Sequence, residues 1–165
     1  MLGAIGVVAL WPRASMTPDV TLNATEPFAT PFVFKNDGYE TLREINFACG
    51  VNHLETATRK SVFTTQGIGL EATDLGEKAL GPDETTEMFC PIGDMFILGE
   101  PATKIDIDIF VSFAINEHIS TRFTRCFRFI TKPDSEGHLR WIEKGFAKKC
   151  EWPTSGLMYG GKRSN

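Results

Sequence analysis

The chain is poor in the residues on which most catalytic and metal sites depend. Its 165 residues include 3 His, 4 Cys, 3 Trp and 2 Tyr. The patterns C-x-x-C, H-E-x-x-H and G-x-S-x-G do not occur, which argues against the common zinc sites and the nucleophile turn of α/β-hydrolases. Gly67-Ile68-Gly69 lacks the third glycine of a dinucleotide-binding loop. The sequence therefore predicts no catalytic residue, no cofactor and no metal, and we expect that the protein is not an enzyme.

Three histidines and two aspartates are the remaining candidates for a functional site. His53, His118 and His138 fall in or beside predicted turns, and we expect their side chains to be exposed to solvent. Asp106 and Asp108 are two residues apart in a predicted strand, so they project from one face and could hold a cation or act as paired carboxylates. Because acids that alternate opposite an apolar stripe are typical of a solvated strand face, we interpret both aspartates as exposed to water.

An excess of positive charge is also missing. The net charge is −4, whereas nucleic-acid-binding domains normally carry a basic excess, so we expect no nucleic-acid partner. Residues 1–120 hold 7 basic and 17 acidic side chains, and residues 121–150 hold 8 basic and 3 acidic. One interpretation is that the basic residues alternate outward along late strands. The other is a basic face for an acidic partner, such as anionic lipid headgroups or an acidic polymer.

The chain has no hydrophobic run of membrane-spanning length. The uncharged stretch 1–11 reads M-L-G-A-I-G-V-V-A-L-W, and a spanning helix needs roughly 20 apolar residues. It has no positively charged leader, so it does not resemble a cleavable signal peptide. With Trp11 at its end, it resembles the outer half of a transmembrane helix. We expect an N-terminal membrane anchor over residues 1–14; the alternative is a buried first strand or helix of the domain.

A period of two residues dominates the rest of the chain. Apolar residues alternate along 104–116, 45–51 and 123–129, which predicts half-buried antiparallel strands. Shorter strands are predicted at 31–35, 84–90 and 139–142, with turns at 36–38, 81–83 and 132–137. The predicted core stripe of the longest run is Ile105, Ile107, Ile109, Val111, Phe113 and Ile115.

Strand-sized runs separated by turns, without a long amphipathic helix, predict an all-β fold. We expect an immunoglobulin-like antiparallel β-sandwich with an N-terminal hydrophobic anchor segment. The polar, proline-rich segment 15–30 predicts a linker that leads into an edge strand. The sandwich domain is predicted over 31–150, and 151–165 is predicted as a C-terminal tail.

The four cysteines lie on or beside predicted strands. Cys49 shares the inward stripe of its strand, and Cys90 ends the strand at 84–90, so we expect a bridge between two strands of the sandwich. Four cysteines allow three pairings, and we prefer Cys49 with Cys90 and Cys126 with Cys150, the neighbours in sequence. An even count beside an apolar N-terminus favours an oxidising compartment; the alternative is four reduced thiols in a cytosolic protein.

Several segments, in a region that runs from about residue 30 to residue 142, carry a family resemblance. They are P-F-A-T-P-F-V-F-K-N-D-G, L-R-E-I-N-F-A-C, L-G-P-D-E-T-T-E-M-F-C-P, I-D-I-D-I-F-V-S-F and F-R-F, followed by Trp141. In these segments the chain resembles bacterial membrane-anchored proteins with an immunoglobulin-like sandwich, although no tryptophan lies between Cys49 and Cys90 as in antibody domains. The resemblance implies a fold and a location in the cell envelope, and it implies no activity.

These observations predict a non-enzymatic, membrane-tethered, extracytoplasmic sandwich domain with an interaction or structural role. The expected partners are the membrane, through the N-terminus, and a protein of the cell envelope. A ligand-binding module, for instance for an envelope polysaccharide, is one alternative, and it would present an exposed platform of Trp141, Trp152 and Tyr159. A small metal-dependent or hydrolytic enzyme is the other, and it would need a histidine to converge with carboxylates in a pocket.

Overall fold

Alternating apolar side chains build two antiparallel sheets. The computed structural model describes residues 12–18, 22–61, 79–90, 100–115, 121–146, 149–151 and 153. Within these ranges the strands are β1 (Ala14–Pro18), β2 (Phe32–Asn36), β3 (Arg43–Thr56), β4 (Lys60–Ser61), β5 (Thr85–Met88), β6 (Ala102–Ala114), β7 (Phe123–Pro133) and β8 (Leu139–Lys144). A 3-10 helix over Pro27–Ala29 is the only helical element in this part of the chain. The prediction of an all-β, two-sheet fold is confirmed.

The strands divide between a smaller sheet in the order β1-β2-β5 and a larger sheet in the order β4-β3-β6-β7-β8. β1 falls in the segment that the sequence predicts as a linker. It pairs with β2 from Ala14 opposite Asn36 to Pro18 opposite Phe32, and it buries Met16. The proline is tolerated because it ends a strand at the edge of the sheet. The sandwich therefore includes β1, before residue 31.

Two sheets share one core, and the residues that fill it are those of the predicted stripes. On β6, Ile105, Ile107, Ile109, Val111 and Phe113 are at most 1% exposed. Phe32 of β2 contacts Phe129 of β7 with ring centroids 4.9 Å apart. The ring centroids of Phe34 and Phe127 are 6.3 Å apart. Because phenylalanine carries no polar atom, such a core needs no internal hydrogen bonds, and the two sheets face each other as the layers of a β-sandwich.

Asn36 closes one end of the sandwich. Its side chain is completely buried, and its Nδ2 donates to the carbonyl oxygens of Glu40 at 2.8 Å and Leu80 at 3.0 Å. Its Oδ1 accepts from the Gly38 N–H at 3.0 Å. A Cβ on Gly38 would lie 3.2 Å from the backbone nitrogen of Arg13, so glycine lets the turn approach β1. The predicted turn at 36–38 therefore also joins the end of β2 to the segments around Glu40 and Leu80.

Candidate functional site

A β-bulge builds the most polar part of the larger sheet, on its outer face, which points away from the smaller sheet. Val51 pairs with Ile107 and His53 pairs with Asp106, so Asn52 is an extra residue in β3. Such a bulge sets two residues opposite one and re-aims their side chains. Asn52 Nδ2 donates to Asp106 Oδ1 at 3.3 Å. We name as the outer-face polar cluster Asn52, His53, Glu55, Lys104, Asp106, Asp108 and Arg128.

Arg128 is the electrostatic centre of this cluster. Its Nε and Nη2 donate to the two carboxylate oxygens of Asp106 at 2.9 and 2.6 Å, the bidentate geometry that a planar guanidinium favours. Its Nε also lies 4.0 Å from Asp108 Oδ1. Burial alone would raise the pKa of Asp106, but the hydrogen bonds and charge of Arg128, with the Asn52 amide, hold that pKa below its ordinary value. The hydrogen bond to Asp106 raises the pKa of Arg128.

The prediction that both aspartates face water is wrong. Asp108 is 4% exposed, and the side chain of Asp106 is largely buried as well. The register explains this, because Asp108 stands between Gly50 of β3 and Arg128 of β7; further along the same face, Ser112 is also buried. Alternation predicts the direction of a side chain, and it carries no information on what covers that face.

The three histidines occupy different surroundings. His53 lies inside β3 and not in a turn, its side chain is 20% exposed, and its Nε2 is 2.6 Å from Glu55 Oε1. Lys104 Nζ approaches the same oxygen at 4.0 Å. His138 is exposed in the turn before β8, as the sequence predicts, and His118 lies outside the described residues. The exposed-turn prediction is therefore wrong for His53, which the bulge brings beside two carboxylates.

The cluster is better suited to bind a polar group than to hold a metal. Both oxygens of Asp106 accept hydrogen bonds from Arg128, and Glu55 is engaged by His53. In the ranges that the structure describes, no three His, Cys, Asp or Glu side chains are grouped so as to hold a metal ion. The carboxylates orient the histidine and the cations, and Lys104 and His53 form the accessible rim.

Both predicted disulfides are present, and they lie on opposite faces of the larger sheet. Cys49 of β3 is bonded to Cys90, which follows β5, with 5.7 Å between the Cα atoms. This bridge joins the two sheets inside the core. Cys126 of β7 is bonded to Cys150, with 5.6 Å between the Cα atoms, and it fixes the segment after β8. No cysteine is free, and two disulfides indicate an oxidising, extracytoplasmic environment.

Four of the five basic residues of the last two strands face outward, and the fifth, Arg125, lies opposite the core residue Val111. On the outer face, the β7–β8 register gives the cross-strand pairs Arg128–Lys144, Ile130–Ile142 and Lys132–Arg140. Arg140 Nε donates to Asp134 Oδ2 at 2.7 Å. Ile142 is 42% exposed. This face combines apolar surface with cations, and it adjoins the half-buried cluster, with which it shares Arg128.

The aromatic platform required by the polysaccharide alternative is not formed by Trp141. That side chain is 7% exposed and faces inward, with its ring centroid 5.7 Å from that of Phe32. Trp152 and Tyr159 lie outside the described residues. In the described part of the chain, the large exposed apolar side chains are Tyr39, Phe89 and Ile142, which lie on separate elements.

The predicted anchor, 1–14, falls mostly outside the described residues, and so does most of the predicted tail, 151–165. Ala14 already belongs to β1. Immediately before it, the carbonyl oxygen of Pro12 accepts a hydrogen bond from Arg125 of β7. The described ranges include no helix with the length and apolar character that a membrane crossing requires.

Comparison with protein-family models, curated proteins and solved structures gives no significant match for this chain. The resemblance to membrane-anchored proteins with an immunoglobulin-like sandwich therefore stays a prediction. A proposal about function must therefore be argued from the geometry of the two sheets, the disulfides and the charged outer face.

Proposed function

We propose that the chain is a non-enzymatic, immunoglobulin-like interaction domain that is displayed outside the cytoplasm and tethered to a membrane by its N-terminal segment. The observation that carries this proposal is the pair of disulfides, which engage all four cysteines. Disulfides persist in oxidising compartments and are rare in the cytosol. The Cys49–Cys90 bridge joins the two sheets through the core, which is the arrangement that immunoglobulin domains use.

Tethering is supported by the uncharged run 1–11 and by the way the chain enters the domain. Arg125 of β7 donates to the carbonyl oxygen of Pro12, so the first described residue after that run is held against the larger sheet. β1 follows directly and buries Met16. A tether-free version of the domain must therefore start at Pro12, because a later start would remove the carbonyl group that Arg125 binds.

The proposal is tested by fractionating bacterial cells that produce the full chain and a chain that begins at Pro12. We expect the full chain to remain with membranes after an alkaline carbonate wash and the shorter chain to be soluble and folded. Without a reductant, a maleimide reagent should label no thiol in the denatured protein. Release of the full chain by carbonate would contradict the tether, and four labelled thiols would contradict the location.

A second candidate function is ligand binding at the outer-face polar cluster. It is favoured by one observation: His53 is hydrogen bonded to Glu55 and stands opposite Asp106, so a histidine and two carboxylates meet on one half-buried face. A thermal-shift screen with envelope saccharides tests it. A ligand of the cluster should stabilise the parent and lose its effect in His53→Ala, and His138→Ala, in an exposed turn, is the matched control. Equal shifts in both variants would contradict binding at this cluster.

A further inference from the structure

We propose that the outer face of the β7–β8 hairpin, with one lysine of β6, is a docking surface for the headgroups of anionic phospholipids. This inference rests on the proposed function in one respect, namely that the tether holds the domain beside a bilayer. The docking surface, the cationic patch, consists of Lys104, Ile130, Lys132, Arg140, Ile142 and Lys144.

The register brings the six side chains to one face. Cross-strand neighbours on β7 and β8 are Ile130 with Ile142 and Lys132 with Arg140, and directly opposite residues are about 5 Å apart. Successive residues on the same face of a strand are about 6.6 Å apart. Lys104 precedes Asp106 by two residues, and Asp106 pairs with Ile130, so this lysine continues the basic row across β6. The patch is therefore about 15 Å across, enough for several headgroups.

The basic residues of the hairpin face one another across its two strands. Like charges directly opposite one another destabilise a sheet, but in the two such pairs, Arg128 with Lys144 and Lys132 with Arg140, each arginine is bonded to a carboxylate. Lysines on an edge strand protect it from pairing with other chains, which explains Lys144 on β8. The same explanation applies to Lys132, because the register between β6 and β7 ends at Ile130, two residues earlier. The hairpin therefore presents two lysines beside the exposed Ile142.

Two lysines of the patch lie outside its salt bridges. Arg140 is paired with Asp134, and Lys104 lies 4.0 Å from Glu55 Oε1. Among the described residues, neither Lys132 nor Lys144 takes part in a salt bridge, although the charge of Lys144 contributes to the lowered pKa of Asp106. These lysines flank the isoleucine pair on neighbouring strands, so the occupant must be anionic at its edges and apolar between them.

A bilayer surface fits these features better than an acidic polypeptide. The patch is the face of a hairpin, long lysine side chains can direct their ammonium groups to headgroups, and Ile142 can enter the acyl boundary between them. The tether also leaves the domain near β7, because Pro12 contacts Arg125. Lys132 is seven residues further along that strand, or about 23 Å at the usual rise. The patch can therefore meet the bilayer that holds the tether when the hairpin lies along the membrane surface.

The test uses the full chain with vesicles of phosphatidylcholine, with and without phosphatidylglycerol. Two quantities are measured: the partition coefficient, and amide hydrogen exchange across Leu139–Lys144. We expect stronger partitioning and slower exchange of β8 with phosphatidylglycerol, both abolished by high salt. In Lys132→Gln/Lys144→Gln the ratio of the two partition coefficients should fall roughly 25-fold, since each lysine near an anionic surface contributes about fivefold. Arg59→Glu, in the exposed turn after β3, changes the net charge equally, by two, and should leave the ratio unchanged.

Each outcome separates the patch from the tether. If the chain binds both kinds of vesicle and β8 exchanges more slowly only on phosphatidylglycerol, both the patch and the tether are supported. If the chain binds only the phosphatidylglycerol vesicles and the lysine variant loses this binding, the patch is supported and the tether is overturned. Equal β8 exchange on both vesicles overturns the patch and leaves the tether. An equal loss in Arg59→Glu, no binding to either vesicle, or lysine-dependent binding to polyglutamate without any difference between the vesicles would overturn the lipid assignment.

Discussion

The two faces of the larger sheet come from the same strands and differ in how they accommodate burial. On the inner face of β6, Ile107 and Ile109 pack into a core without polar partners. On the outer face of the same strand, Asp106 and Asp108 are also withdrawn from water, but beside Arg128. Burial therefore does not distinguish the faces; the presence of a compensating charge does. A substitution that breaks this division should cost most where no partner exists.

The inner face is tested by Ile109→Asp, the change with the largest expected effect. The new carboxylate would be buried between Ile107 and Val111 without a cation, at a cost of several kcal/mol after relaxation, or about the whole stability of such a domain. We expect a variant without a cooperative thermal transition. Ile109→Val is the matched control and should cost about 1 kcal/mol. A normal melt for Ile109→Asp would show that this stripe does not face the core.

The disulfides compare the faces a second time, because Cys49–Cys90 lies inside and Cys126–Cys150 outside. Their sequence separations, 41 and 24, predict similar chain-entropy contributions of about 3–4 kcal/mol each. Cys49→Ala/Cys90→Ala should cost more than Cys126→Ala/Cys150→Ala, since it also leaves space in a packed core. Urea unfolding of the two variants measures the difference. A larger loss for the outer pair would mean that the segment after β8 is more important to the fold than the inter-sheet bridge.

The inner face could be predicted from the sequence because its signal is local. Alternation along β6 identifies Ile105 to Phe113 as core without reference to any other strand. The cysteine pairs also follow from position on strands and proximity in the chain. β1 was the exception: a short edge strand with a terminal proline resembles a linker until β2 is placed beside it.

The outer-face polar cluster could not be predicted because its members meet only through register. Asp106 and Arg128 are 22 residues apart, and no pattern in either strand states that one reaches the other. The bulge at Asn52 shifts β3 by one residue, so His53 faces outward with Asp106, although a strict alternation from Val51 would turn it inward. The depth of Asp108 depends on Gly50 and Arg128 on neighbouring strands, which is tertiary information.

Asp108→Ala sharpens the comparison at an intermediate effect. The substitution removes a buried carboxylate beside Arg128 and leaves Arg128 its bond to Asp106, so we expect a loss of about 2 kcal/mol in the free energy of unfolding. Glu143→Ala, at an exposed position of β8, is the control and should change stability by less than about 0.5 kcal/mol. Chemical denaturation at neutral pH measures both. If Asp108→Ala were as silent as the control, the outer face would be a solvated one.

Asp106→Asn should have the smallest effect and the most specific signature. The pKa of Asp106 is lowered in the folded protein, so the unfolded chain binds the proton more readily, and stability must fall as the pH falls. The contribution is present above the ordinary pKa of an aspartate, about 3.9, and it disappears as the pH drops through the lower folded value. At neutral pH the variant should lose about 1 kcal/mol, because an amide keeps part of the hydrogen bonding to a partly exposed Arg128.

The difference in the free energy of unfolding between the parent and Asp106→Asn should therefore become smaller in acid. Urea titrations from neutral pH to below pH 4 would measure this change. Glu143→Gln removes one negative charge from an exposed site of the same sheet and controls for net charge. A gap that stays constant down the acid limb would mean that Arg128 does not favour the ionised form of Asp106. In that case packing alone would stabilise the charged side chains of the outer face, as it stabilises the apolar side chains of the inner face. The distinction between the two faces would then be lost.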